Sequence, residues 1–96
     1  MNKYEKKSLD DKLSSDFMRV SMVSSYLMLN EKKSFHQVLN LQVEKQVACT
    51  FFIAPIDVDK KEYTKDQIQS MIDYFAECEE YERCGKLLKI KKELNN

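Results

Sequence analysis

The sequence predicts an α+β fold: a three-stranded antiparallel meander over residues 17–56, then an antiparallel helical hairpin over 64–95. Three observations carry this expectation. In FHQVLNLQV, residues 35–43, Leu39, Leu41 and Val43 alternate with Asn40 and Gln42, the period-two pattern of a strand covered on one face. VACTFFIAPI, residues 47–56, is the most apolar run and is rich in β-branched and aromatic side chains. Beyond Thr64, the residues Ile68, Met71, Ile72 and Phe75 recur at helical spacing.

Composition narrows the function classes. A chain of 96 residues allows one modest core. Sixteen basic residues balance sixteen acidic ones, so no global field draws the chain to nucleic acid or an anionic membrane. No stretch approaches the roughly 20 apolar residues of a membrane span. MNKYEKKSLDD has a basic flank with no apolar run after it, unlike a secretory signal, and a cytoplasmic location is expected. Three cysteines, Cys49, Cys78 and Cys84, read as reduced thiols. The single glycine argues against phosphate-cradling loops. Much Lys, Glu and Asn with little Ala or Gly is a composition common in small proteins of low-GC bacteria and their phages.

Residues 1–15 read as a flexible charged arm, and 16–96 as one small domain. FMRVSMVSSYLML, 17–29, can be read two ways. As a strand, Val20, Met22, Ser24, Tyr26 and Met28 share a face. As a helix, Leu13, Phe17, Val20, Ser24 and Leu27 form a stripe. Serines and β-branched residues weaken the helix, and NEKK reads as a turn, so a strand is expected. The alternative is a helix over 10–29 and a mostly α fold. The second strand is 35–43, EKQ the next turn, and 47–56 the third, buried strand, closed by Pro55. A meander of three strands needs one face covered, and the C-terminal helices are the candidate cover.

Thr64 reads as a helix N-cap, with Gln67 completing a capping box. From Phe75 onward the apolar positions 75, 78, 81, 84 and 87 are three apart. A stripe with that spacing drifts by about 60° per step and wanders about 240° around one straight helix. A break near Glu79 and Glu80 removes the conflict and predicts two antiparallel arms. Gly85 in the second arm costs ~1 kcal/mol of helix propensity, with close approach of the two arms as its expected benefit.

The segment EYERCGKLLKIKKEL resembles the UVR motif, the helical hairpin of nucleotide-excision-repair proteins, also found in some Clp ATPases and in an activator of a protein arginine kinase. Tyr81-Glu82 stands at the aromatic-Glu place, Cys84-Gly85 at the two small positions, Leu87 at the leucine and Leu94 at the closing leucine. Leu88-Lys89 replaces the family's Arg-Asp pair, and Ile90 lies one residue before the usual isoleucine place, held here by Lys91. The resemblance implies a protein–protein contact module, often paired with a second hairpin and without catalytic residues.

No catalytic, cofactor or metal site is expected. Cys78 and Cys84 are too far apart for the usual zinc pair. Cys84 reads as a packing residue, Cys49 as buried in a strand and Cys78 as near the hairpin turn. His36, the only histidine, reads as an edge-strand residue with no partner pattern for catalysis. Glu77, Glu79, Glu80 and Glu82 read as a solvated turn. The expected function is non-enzymatic: a small interaction or regulatory protein, its partner another protein or a second copy. Tyr81, Leu87, Leu88, Ile90 and Leu94 are the expected contact residues, with Leu88 and Ile90 pointing off the stripe that faces the first arm. The alternative is a nucleic-acid-associated regulator using Arg83, Lys86, Lys89 and Lys92, with Lys91 in the same basic run and Tyr26, Phe35, Phe51 and Phe52 of the sheet as stacking aromatics.

Overall fold

The computed structural model describes the backbone over residues 3–94 and the side chains over 17–94. These residues form five helices, with no strand among them: α1 (Lys3–Asn30), α2 (Phe35–Glu44), α3 (Pro55–Lys60), α4 (Lys65–Glu77) and α5 (Tyr81–Glu93). The expected meander is therefore corrected: the fold is helical, as in the mostly α alternative. The chain divides into two compact units, residues 1–52 and 53–96. The charged arm expected over 1–15 falls on residues whose side chains lie outside the described set.

In the first unit, residues 17–29 are helix rather than strand. The serines that weaken local helix propensity are used in tertiary bonding. Ser21, Ser24 and Ser25 are buried, at the i, i+3, i+4 spacing that puts them on one helical face. Opposite them runs an extended segment, residues 47–52, in place of the third strand. Its backbone bonds to side chains instead of a ladder. The Phe52 N–H donates to Ser25 Oγ at 3.0 Å and to the Ser21 carbonyl at 3.2 Å. Thr50 Oγ1 and Ser21 Oγ share a hydrogen bond of 2.9 Å. Gln42 Nε2 donates to Ser24 Oγ at 2.9 Å and to the Thr50 carbonyl at 3.0 Å. Buried backbone groups need partners, and here Ser25 Oγ and the Ser21 carbonyl serve the Phe52 N–H, and Gln42 serves the Thr50 carbonyl.

Residues 35–43, expected as a strand, form α2. Ser34 is its N-cap. Gln37 N–H donates to Ser34 Oγ at 3.1 Å and Ser34 N–H to Gln37 Oε1 at 2.8 Å, a full capping box. The alternation was coincidental: Val43 is 62% exposed, while Val38 and Gln42, four apart, are the buried pair. Facing α1 and α2 pack against each other.

In the second unit, Pro55 starts a helix rather than ending a strand. It occupies the first turn of α3, where its missing N–H costs nothing. α4 begins at Thr64 with the expected capping box, Gln67 N–H to Thr64 Oγ1 at 3.1 Å and Thr64 N–H to Gln67 Oε1 at 2.9 Å. The chain breaks at Cys78–Glu80 and returns as α5, which packs on α4. Ile68, Met71 and Phe75 of α4 and Leu87 of α5 are fully buried, with Ile53 and Tyr63 also in the core. Each such side chain contributes about 1.5–3 kcal/mol of burial.

Helix ends explain how a chain with one glycine makes its turns. Lys32, Gln46, Lys61 and Glu79 all have φ between 53° and 59°, the left-handed region that usually takes glycine. After α2, α3 and α4 the bonding is that of the Schellman motif, with Val47 N–H donating to the Gln42 carbonyl at 3.0 Å, Glu62 to Asp57 at 2.9 Å and Glu80 to Phe75 at 2.8 Å.

Candidate contact surface

α5 carries every expected protein-contact residue except Leu94, its C-cap, together with the whole basic run, and its two faces differ. The inner face is fixed by α4. Leu87 is 0% exposed, so it is a core residue and not part of an open contact surface. Cys84 is half-buried, and its thiol donates to the Ile72 carbonyl at 3.4 Å. Burial, with Glu80, Asp73 and Cys78 adding to it, pushes that thiol above its ordinary range despite an opposing backbone hydrogen bond. Arg83 lies with its guanidinium 5.5 Å from the centre of the Phe75 ring and its Nε 3.2 Å from Glu80 Oε1. Lys91 Nζ donates to Gln69 Oε1 on α4. Ile90 and Leu94 are half-buried.

The outer face of α5 is open. Tyr81 is 64% and Leu88 41% exposed. With Gly85 and Lys92 they stand at i, i+4, i+7 and i+11, one continuous stripe of a helix. A Cβ built at Gly85 meets nothing within 4 Å. The close approach of α4 and α5 expected at Gly85 is thus corrected: the glycine faces outward, and it leaves a notch between the Tyr81 and Leu88 side chains.

Of the basic residues considered for nucleic acid, Lys86, Lys89 and Lys92 are exposed, next to the exposed carboxylates Glu82 and Glu93 on the same helix. Arg83 is turned inward onto Phe75 and Glu80. The aromatics proposed for base stacking do not line a sheet. Tyr26 is buried in α1, Phe35 begins α2, and Phe51 and Phe52 lie in the extended segment, with the Phe35 and Phe51 rings 5.8 Å apart. His36 lies on α2, exposed, rather than on an edge strand, and Cys49 is exposed rather than buried. Among the described residues, no three His, Cys, Asp or Glu side chains converge as metal ligands. No helix among them is long and apolar enough to cross a membrane.

The sequence reading missed the Ser21–Ser24–Ser25–Gln42 network. Its signal was present in the serine spacing, which shares a face only if residues 17–29 are helical.

No protein-family model, curated protein or solved structure matches the chain.

Proposed function

We propose that this is a non-enzymatic protein–protein contact module, working through the outer face of α5, and that its partner is a second helical hairpin. The observation that carries the proposal is the pair of exposed side chains Tyr81 and Leu88 on one stripe, with the open notch at Gly85 between them. The patch is self-complementary. Tyr81 and Leu88 are equally spaced about the Cys84–Gly85 peptide. Two α5 helices crossing antiparallel about a two-fold axis there set Tyr81 of one copy against Leu88 of the other, the reciprocal contact of an isologous dimer. The glycine lets the two backbones come close. The UVR-like pattern of Tyr81-Glu82, Cys84-Gly85, Leu87 and Leu94 supports the same reading, because such hairpins often pair with another hairpin. A patch with two apolar anchors supports weak, concentration-dependent pairing rather than an obligate dimer.

The nucleic-acid reading has less behind it, because the exposed lysines are interspersed with carboxylates and Arg83 is engaged within the hairpin.

Light scattering across concentration and salt tests the proposal, on the intact chain and on a variant carrying Leu88→Asp alone, because half-buried Ile90 is not part of the open stripe. The expected result is a mass that rises with concentration for the intact chain and a folded monomer for the variant. Monomers of equal stability at every concentration exclude self-pairing through this face.

A further inference from the structure

The outer face of α5 has two unlike flanks. At about 100° per residue from Gly85, Tyr81 and Leu88 lie about 40° and about 60° round the helix to one side. Glu82 and Lys89 lie about 60° and about 40° round to the other side. One flank is therefore apolar, and the other carries one carboxylate and one ammonium. Glu82 and Lys89 are both exposed, and neither has an ion-pair partner in its own chain among the described residues.

Symmetry decides what each flank meets. Two helices that pack antiparallel about a two-fold axis meet like flank to like flank, whereas a parallel pair meets unlike flanks. With the axis at the Cys84–Gly85 peptide, the antiparallel pair sets Tyr81 against Leu88 on the apolar flank and Glu82 against Lys89 on the charged one. Glu82 stands about 4 Å before that peptide along the helix, and Lys89 about 7 Å beyond it. Reversing the second helix brings its Lys89 to within about 3 Å of the level of Glu82, an offset that the flexible four-carbon stem of lysine spans. The two-fold makes this contact twice. A parallel pair sets Glu82 against Tyr81 and Lys89 against Leu88, placing charge on hydrocarbon.

We propose that the partner of this face is an antiparallel second copy of the chain, and that Glu82 and Lys89 set its orientation: the Glu82 carboxylate of each copy accepts from Lys89 Nζ of the other. The inference rests on the contact reading of α5 and adds to it the residues that select the partner. Exposed ion pairs contribute little affinity one at a time. Their effect here is on register and choice of partner, as at the flanking positions of coiled coils.

Sedimentation equilibrium at low salt tests this on the intact chain, on Glu82→Lys, on Lys89→Glu, on an equimolar mixture of those two variants, and on a chain carrying both exchanges. Each single reversal sets like charges together twice and is expected to weaken self-pairing roughly three- to ten-fold. The mixture restores opposite charges at both contacts and is expected to pair about as tightly as the intact chain. Any loss of helix stability is common to the variants alone and mixed, so it does not imitate this gain. The doubly exchanged chain keeps the intact net charge and is expected to pair like the intact chain on its own. Salt at about 0.5 M is expected to shrink all of these differences. An intact chain that pairs, with single variants pairing as tightly alone as mixed, overturns this inference and leaves the contact reading standing. A doubly exchanged chain that pairs no better than the single variants does the same. An intact chain that stays monomeric at every concentration overturns both.

Discussion

The Glu80 amide donates to the Phe75 carbonyl at 2.8 Å, closing α4 around Glu79 at φ 59°. That bond makes the hairpin, and it does so with glutamate where glycine is the usual residue. The one glycine of the chain sits six residues later, in a helix interior, at ordinary negative φ and with nothing near it. Two substitutions follow from this mismatch. Glu79→Gly relieves left-handed strain and is expected to stabilise the second unit by about 1 kcal/mol. Gly85→Ala is expected to add about 1 kcal/mol from helix propensity. Thermal melts at low protein concentration check both, each raising Tm by roughly 4–8 °C. A Gly85→Ala variant that melts lower contradicts the outward placement of this residue.

The buried polar network of the first unit makes the opposite kind of prediction. Gln42→Leu removes the donor to the Thr50 carbonyl and the one to Ser24 Oγ, leaving buried acceptors without it. It is expected to cost about 2–3 kcal/mol in urea unfolding, although the new residue is more apolar. Ser25→Ala, which removes one acceptor of a shared Phe52 N–H, is expected to cost about 1 kcal/mol. A neutral Gln42→Leu means that the extended segment is not held as described.

These two sets of residues also show why the hairpin was legible in the sequence and the first unit was not. Thr64 and Gln67 announce α4, and the three-residue spacing from Phe75 to Leu87 demands a break where Cys78–Glu80 provides it. Both are local signals, read from neighbours on one helix. Residues 17–56 lack such signals. Ser21, Ser24 and Ser25 lower helix propensity locally, and their use is in long-range bonds: Ser25 to Phe52 and Ser21 to Thr50 in the segment after α2, and Ser24 to Gln42 on α2. Gln46, at the left-handed position after α2, carries no glycine to mark the end of a helix. The Ser34–Gln37 capping box went unread, the Leu39, Leu41, Val43 alternation was read in its place, and exposed Val43 shows that alternation to be accidental. On α5, the spacing left the inner stripe to Leu87 or Leu88, and the packed hairpin puts Leu87 in the core and Leu88 outside it.

Thiol reactivity should follow placement. Cys49 and Cys78 are exposed, while Cys84 is half-buried, donates to Ile72 and holds its proton more tightly than an ordinary thiol. Under native conditions a disulfide reagent is expected to modify Cys49 and Cys78 first, with Cys84 slowest. Peptide mapping of partly labelled protein checks the order. Early labelling of Cys84 contradicts the packing of α5 on α4.

Alkaline pH should weaken the fold through Tyr63. Burial first, and the Glu93 carboxylate second, raise its phenol above the ordinary value of 10.0. The folded chain therefore keeps this proton better than the unfolded chain does. Its contribution is complete below the unfolded value and is lost as pH rises through the folded one. Urea unfolding from about pH 8 to about pH 11 is expected to show a falling stability whose slope is shallower in Tyr63→Phe. An unchanged slope in that variant removes Tyr63 as a cause.

Pairing of two hairpins through the outer face of α5 would show in a dilution series of amide NMR spectra. The Tyr81, Gly85 and Leu88 signals are expected to move with concentration. Those of Val43, exposed on α2, are expected to stay still, and Leu88→Asp to freeze all of them at their dilute positions. Spectra independent of concentration contradict it, as do shifts that fall elsewhere and survive Leu88→Asp.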